Sequence, residues 1–173
     1  MSFIISSIAL IIGGLILMEY FLRMTEHELG SRAMAVARTV AAMEEVQRNV
    51  GQPPGSKVIQ PIVERIRLAA NVEYIVVLDM EKIPYSHPLE RYISTEFTGN
   101  DEGPALAGHE YISRAEGVRG PSVCAFAPII KKDSGQQVGG VVVGNLVPTI
   151  SKLLHHIWFQ LYLPLVAGLI INA

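Results

Sequence analysis

The chain has 173 residues, half of them hydrophobic and 17% charged, with a formal net charge of −2. That negative balance argues against nucleic acid as a partner, since nucleic-acid binding calls for a basic face. A single cysteine, Cys124, excludes an internal disulfide framework and any multi-cysteine metal site.

The excess of apolar residues sits at the two ends. Phe3 to Met18 holds no ionisable residue, and the apolar character continues past Glu19 through Tyr20, Phe21 and Leu22. Roughly 20 residues cross a bilayer core as a helix. Residues 3–22 therefore read as a transmembrane helix, with Tyr20 and Phe21 as an interfacial belt and Arg23 as a charged stop. A signal-peptide core is the weaker reading, because no positive n-region precedes the run and no small-x-small cleavage site follows it. The second run, Ile157–Ala173, carries no charge, places Trp158 and Tyr162 at its entry and contains Pro164, which a membrane helix tolerates. With no charged stop after Ala173, the sequence is expected to be cut inside or just after this helix.

Between them, Thr25–Val50 is rich in Ala, Met, Glu and Arg, all good helix formers. Met34, Ala37, Val40 and Ala41 recur at spacings of three and four, an apolar stripe for packing on a sheet or on a second copy of itself. The helix follows the first membrane run so directly that the two are expected to be nearly continuous. GQPPGS at 51–56 breaks it, and Val58–Ala70 reads as a second helix with Ile59, Ile62, Val63, Ile66 and Ala70 on one face. Tyr74–Asp79 is a β-branched run expected to form a buried strand. Ile83–His87 is its hairpin partner, and Pro84 favours an edge. Residues 94–110 are turn-rich, with a short helix near Pro104–Ala107. Tyr111–Ala115, Ser122–Ile130 and Val138–Leu146 are strands, the last two joined as a hairpin by residues 131–136. Val147–His156 alternates as a helix. The order gives an α+β domain with an antiparallel sheet packed on a long helix.

Catalysis finds little support. Cys124 and His87 are the one tempting nucleophile–base pair, yet Cys124 lies in an apolar strand pattern and reads as a buried, inert thiol. His155 and His156 are adjacent and cannot clamp a metal from one helix face. Asp101 and Glu102 lack the ligand spacing of a calcium loop and read as solvated turn residues. Tyr85, Ser86 and His87 are more informative, because they gather hydrogen-bond donors directly after a strand. Phe97 follows in the loop. Gly117 and Gly120 then bring backbone amides close together, a setting that suits a small anion; a surface loop with ordinary capping residues is the plainer alternative.

Taken in order, Gly30–Ala42, Tyr74–Met80, Tyr85–Pro88 (YSHP), Phe97–Gly99, Ala105–Gly108, Ala125–Ile129 (AFAPI) and Val138–Gly144 resemble the sensor region of the citrate and C4-dicarboxylate sensor histidine kinases. The resemblance covers essentially the whole chain. It implies a PAS-like extracytoplasmic domain at 23–150, with a long N-terminal helix on a five-stranded antiparallel sheet. Transmembrane helices at 3–22 and 151–173 would hold it in the cytoplasmic membrane, in contact with the lipid bilayer. It implies a homodimer that binds citrate or a C4-dicarboxylate and signals through the second helix to a cytoplasmic kinase, which passes phosphate to a response regulator. No kinase residues are in this sequence, so the fragment itself is expected to be no enzyme, and no cofactor or metal is implied.

Carried over by the resemblance, His87 is a ligand-binding histidine, Phe97 and Phe126 are pocket aromatics, and Ser122 and Val123 lie where strand backbone helps hold carboxylates; Gly120 joins them as a candidate from its glycine-rich turn. Two positions depart from the pattern. Pro84 stands where the family has an arginine three residues before the histidine, and Cys124 where a second arginine precedes AFAPI. Arginine binds carboxylate in bidentate, charge-assisted fashion, so the expected result is weak citrate binding. The substitutions are either introduced or natural, or Arg119 and Lys82 restore the charge. A rival reading from another class is a membrane-anchored scaffold that binds protein and no metabolite.

Overall fold

A computed structural model describes residues 2–97, 102–117 and 120–146, the side chains of 2–11, 15 and 115–121 excepted. Helix α1 runs unbroken over Ser2–Ala41, so the apolar N-terminal run and the helix after it are one rod, ~60 Å long at 1.5 Å per residue. Among the described residues no helix is long and apolar enough to cross a membrane. Much of the first apolar run falls on side chains outside that set, and Val147–His156 and the second apolar run lie wholly outside it.

The expected helix to Val50 is interrupted. It stops at Ala41, Met43 takes an extended conformation, and α2 resumes at Glu44–Asn49. Intrinsic propensity gives no reason for a stop at Ala-Met. The cause is tertiary: Gln47, itself buried, donates from Nε2 to the Ala41 carbonyl at 2.9 Å, satisfying an orphan acceptor of the α1 C-terminus. The jog lets Val40 and Ala41 on one side, and Val46 and Val50 on the other, all reach the core. Helix α3, Gly55–Ala70, begins three residues before its expected start and closes at Asn71 in the left-handed region, a usual helix stop.

The five strands are β1 Tyr74–Asp79, β2 Pro84–Ser86, β3 Tyr111–Gly117, β4 Gly120–Ile130 and β5 Gln137–Leu146. They form one antiparallel sheet in the order β2-β1-β5-β4-β3. Pro84 sits on an edge strand, where a missing donor is tolerated. The short helix α4, Gly103–Leu106, lies between β2 and β3 in sequence.

Strand parity divides the sheet into two apolar layers. Ile75, Val77, Ala125, Ala127, Ile129, Val141 and Val143 meet α1, α2 and α3 through Ala33, Met34, Ala37, Val40, Val46, Ile59 and Val63. Each fully buried Val or Ile there contributes roughly 1.5–3 kcal/mol by leaving water. Val76, Leu78, Cys124, Phe126 and Val142 face the other way, under Ala105 of α4 and Phe97. This second layer is smaller and covered by a loop, and it contains the candidate site.

Edge strand β2 is fixed by a side chain. Ser86, fully buried, accepts from the Val77 amide through Oγ at 3.0 Å. Ser86→Ala orphans a buried N–H, so it is expected to cost about 1–3 kcal/mol, read as a lower urea midpoint at unchanged slope.

Candidate ligand site

The alternation of β4 points Ser122, Cys124 and Phe126 to the loop-covered face. Cys124 is paired with Gly144 on β5, which in turn pairs with Tyr74 on β1. Because Gly144 has no side chain, the Tyr74 ring lies across it, and its hydroxyl meets Cys124 Sγ at 2.8 Å. Ser122 Oγ is 3.6 Å from the same sulfur. Phe126 stacks on Tyr111 of β3, with centroids 4.6 Å apart and planes 9° from parallel. Phe97 packs against this layer from the loop, and its amide donates to the Lys82 carbonyl at 3.1 Å.

Charge enters at one rim. Lys82 Nζ lies 2.7 Å from Glu102 Oε1, and the Glu102 side chain is 2% exposed. The carboxylate raises the Lys82 ammonium above its ordinary range. Glu102 is therefore no solvated turn residue: docking of α4 on the sheet buries it. Lys82 is already matched in charge, so it brings no spare cation to this face. Arg119 lies outside the described residues, as do Thr98 and Gly99.

The other sequence candidates separate. Pro84 pairs with Leu78, which places it on the same sheet face as Cys124 but level with Pro128, three strands or ~14 Å across the sheet and a further ~13 Å along β4. Tyr85 takes the opposite direction. A register shift in the β1–β2 pairing sends its ring into the helix layer beside Gly55, where burial first and Asp79 second raise its hydroxyl pKa. Ser86 is consumed in holding β2, and the Val123 side chain faces α1 at Gly30. Val123 can thus serve a ligand through its backbone alone. Gly120 opens β4 opposite Gly117.

His87 occupies a loop cluster of its own. Its backbone is clamped to Gln60 of α3 by two bonds of 2.9 Å, its Nδ1 accepts from the Leu89 amide at 3.0 Å, and its ring lies 4.9 Å from that of Tyr92. Burial chiefly holds its pKa below the ordinary value, opposed by the Leu89 backbone bond and reinforced by Arg91. A depressed folded pKa means that the neutral ring stabilises the fold fully above the unfolded value of about 6.5, and that this contribution is lost as pH falls through the folded pKa. The melting temperature of the wild type is expected to fall relative to His87→Gln below about pH 6.5. Parallel curves for the two proteins from pH 7.5 to 5 would remove His87 from this account.

Tyr74, Tyr111 and Glu102 escaped the sequence reading. The two tyrosines were findable, since Tyr74 shares parity with Val76 and Tyr111 heads a strand. A family model for the single Cache domain 3 matches residues 20–158. The chain belongs to that family. It is 38% identical over 160 residues to a probable C4-dicarboxylate sensor kinase of Halalkalibacterium halodurans, covering 91% of this chain and 30% of that protein. The chain thus spans under a third of the length of that relative. The crystal structure of the Escherichia coli DcuS sensor domain matches at 32% identity with a TM-score of 0.68, over 76% of this chain and 98% of the domain. A second structure, the sensory domain of the membraneous two-component fumarate sensor DcuS, matches with a TM-score of 0.54 and 32% identity, over 76% of this chain and 96% of that one. The helix-plus-sheet Cache fold is therefore established, and the resemblance read from the motifs holds.

Proposed function

We propose that this chain is the ligand-binding and signalling segment of a membrane-anchored two-component sensor kinase for citrate or a related di- or tricarboxylate. The observation that carries this reading is the second sheet face. Ser122, Cys124, Phe126, Tyr74 and Phe97 converge there under a loop, in a chain matched along nearly the whole DcuS sensor domain. Phe97, Ser122 and Phe126, with the backbone of Gly120 and Val123, form the floor, and His87 contributes from the adjoining loop. Tyr85 and Ser86 act behind it, in packing and strand pairing. Residues 3–22 and 151–173 serve as membrane helices around an extracytoplasmic domain at 23–150, supported by their apolar composition. The unit works as a homodimer. Ligand closure over the sheet draws on β5, whose C-terminal end leads toward the second apolar run. Autophosphorylation and transfer to a response regulator belong to the longer protein of which this is the sensor.

Neutral Pro84 and Cys124 on the ligand face remove two charge-assisted bonds of about 1.5–3 kcal/mol each, so citrate affinity is expected to be on the order of 10²–10⁴ lower than with both arginines. Calorimetric titration at low salt is expected to show citrate saturating well above the micromolar range. A low-micromolar dissociation constant would overturn that expectation. A chain that dimerises but neither binds nor is thermally stabilised by any di- or tricarboxylate would favour the scaffold reading.

A further inference from the structure

We propose that Glu102 is a specificity-determining residue of this site, selecting small carboxylates that also carry a hydrogen-bond donor, an ammonium ahead of a hydroxyl; the inference rests on the sensor reading above. Glu102 immediately precedes α4 and accepts from the Leu106 amide through its carbonyl at 3.1 Å. Ala105 and Leu106 of that helix lie against the sheet at Gly140, and Ala105 belongs to the same buried layer as Cys124, Phe126 and Phe97. Gln137 fixes the helix there, donating to the Ala105 carbonyl at 2.7 Å. The carboxylate is thus held where α4 meets Lys82, beside the layer that contains the candidate site.

Its two oxygens differ. Oε1 meets Lys82 at 2.7 Å, and Oε2 is buried with no hydrogen-bond partner among the described residues. An anionic oxygen shut away from water without a donor is costly, and a carboxylate has acceptor capacity for several donors. A ligand ammonium satisfies it with a charge-assisted bond, a hydroxyl with a weaker neutral one, and a bare methylene leaves it orphaned. The rest of the face points the same way. Pro84 and Cys124 on this face are both neutral, so the site favours a ligand whose own positive group lowers its net negative charge.

Three probes share one four-carbon dicarboxylate skeleton and differ at C2: L-aspartate, L-malate and succinate. Calorimetry on the intact chain in nanodiscs is expected to rank them in that order, with aspartate about tenfold or more tighter than succinate, the scale of one buried donor–acceptor bond. Glu102→Gln is expected to collapse the ranking, and Lys82→Met, which keeps the carboxylate, to preserve or widen it. Equal affinity for succinate and aspartate in the wild type overturns the role of Glu102 and leaves the sensor reading standing. So does a preference that survives Glu102→Gln. Absence of binding for all three and for citrate, with no thermal shift, overturns both together. If Glu102→Gln fails to fold, the wild-type ranking and Lys82→Met decide.

Discussion

Gly139→Ala is expected to destabilise the domain by about 3 kcal/mol or more, at the upper end of overpacking costs, while Gly140→Ala stays close to the wild type. The two glycines are neighbours in β5, yet their surroundings differ. A Cβ on Gly139 would lie 2.0 Å from the Leu78 carbonyl oxygen and 3.0 Å from its carbon. Those are backbone atoms of the paired strand, so relief demands moving β1 against β5 at the middle of the sheet. A Cβ on Gly140 would find Leu106 Cδ2 at 3.6 Å and nothing nearer, an ordinary van der Waals separation. Alanine there also lowers the entropy of the unfolded chain, by roughly 0.4–1 kcal/mol of stabilisation. Urea unfolding of both variants at constant slope checks the contrast. Equal midpoints for the two would mean that the Leu78 carbonyl does not crowd position 139. The consequence bears on the proposed function, because this strand pair borders the candidate ligand face.

The strands were legible because their apolar runs are short, β-branched and bounded by turn residues. Tyr74–Asp79 is the clearest, and the expectations for β3, β4 and β5 match to within two residues at each end. The edge position of β2 followed from Pro84, a local chemical fact. The break after Ala41 was not legible, since Ala and Met favour helix and the stop depends on Gln47 reaching a carbonyl six residues back. The site was half legible. Alternation alone sends Ser122, Cys124 and Phe126 to one face and Val123 to the other. Tyr85 and Ser86 looked like ligand donors because they are polar residues after a strand; the irregular register at Val77–Leu78 turns them to the helix side, and no sequence pattern announces that. Glu102 shows the same limit more sharply. Between Asp101 and Gly103 it resembles any turn carboxylate, and its burial exists only after α4 docks and Lys82 closes over it.

Cys124→Arg is expected to raise affinity for citrate and C4-dicarboxylates by about 10- to 10²-fold, the value of one charge-assisted bond of roughly 1.5–3 kcal/mol. The position is suited to it. Cys124 is buried on the candidate ligand face, with Gly144 beside it contributing no side chain and Ser122 two residues before it. The obstacle is Tyr74, whose hydroxyl occupies the space next to Sγ. Arginine must push that ring off Gly144, and the Tyr74 tip is the mobile end of a side chain, so the movement is cheap compared with the backbone shift at Gly139. A guanidinium buried without a counter-ion is strongly disfavoured. The variant is therefore expected to melt below the wild type when empty and to recover more than the wild type does when ligand is added, since a ligand that binds only the folded state stabilises it by an amount that grows with the logarithm of its affinity. Paired melting curves with and without citrate, alongside calorimetry, measure both effects. Pro84→Arg tests the second position on the same face. An empty-state loss with no ligand rescue, and affinity unchanged in both variants, would place the carboxylate site elsewhere on the domain.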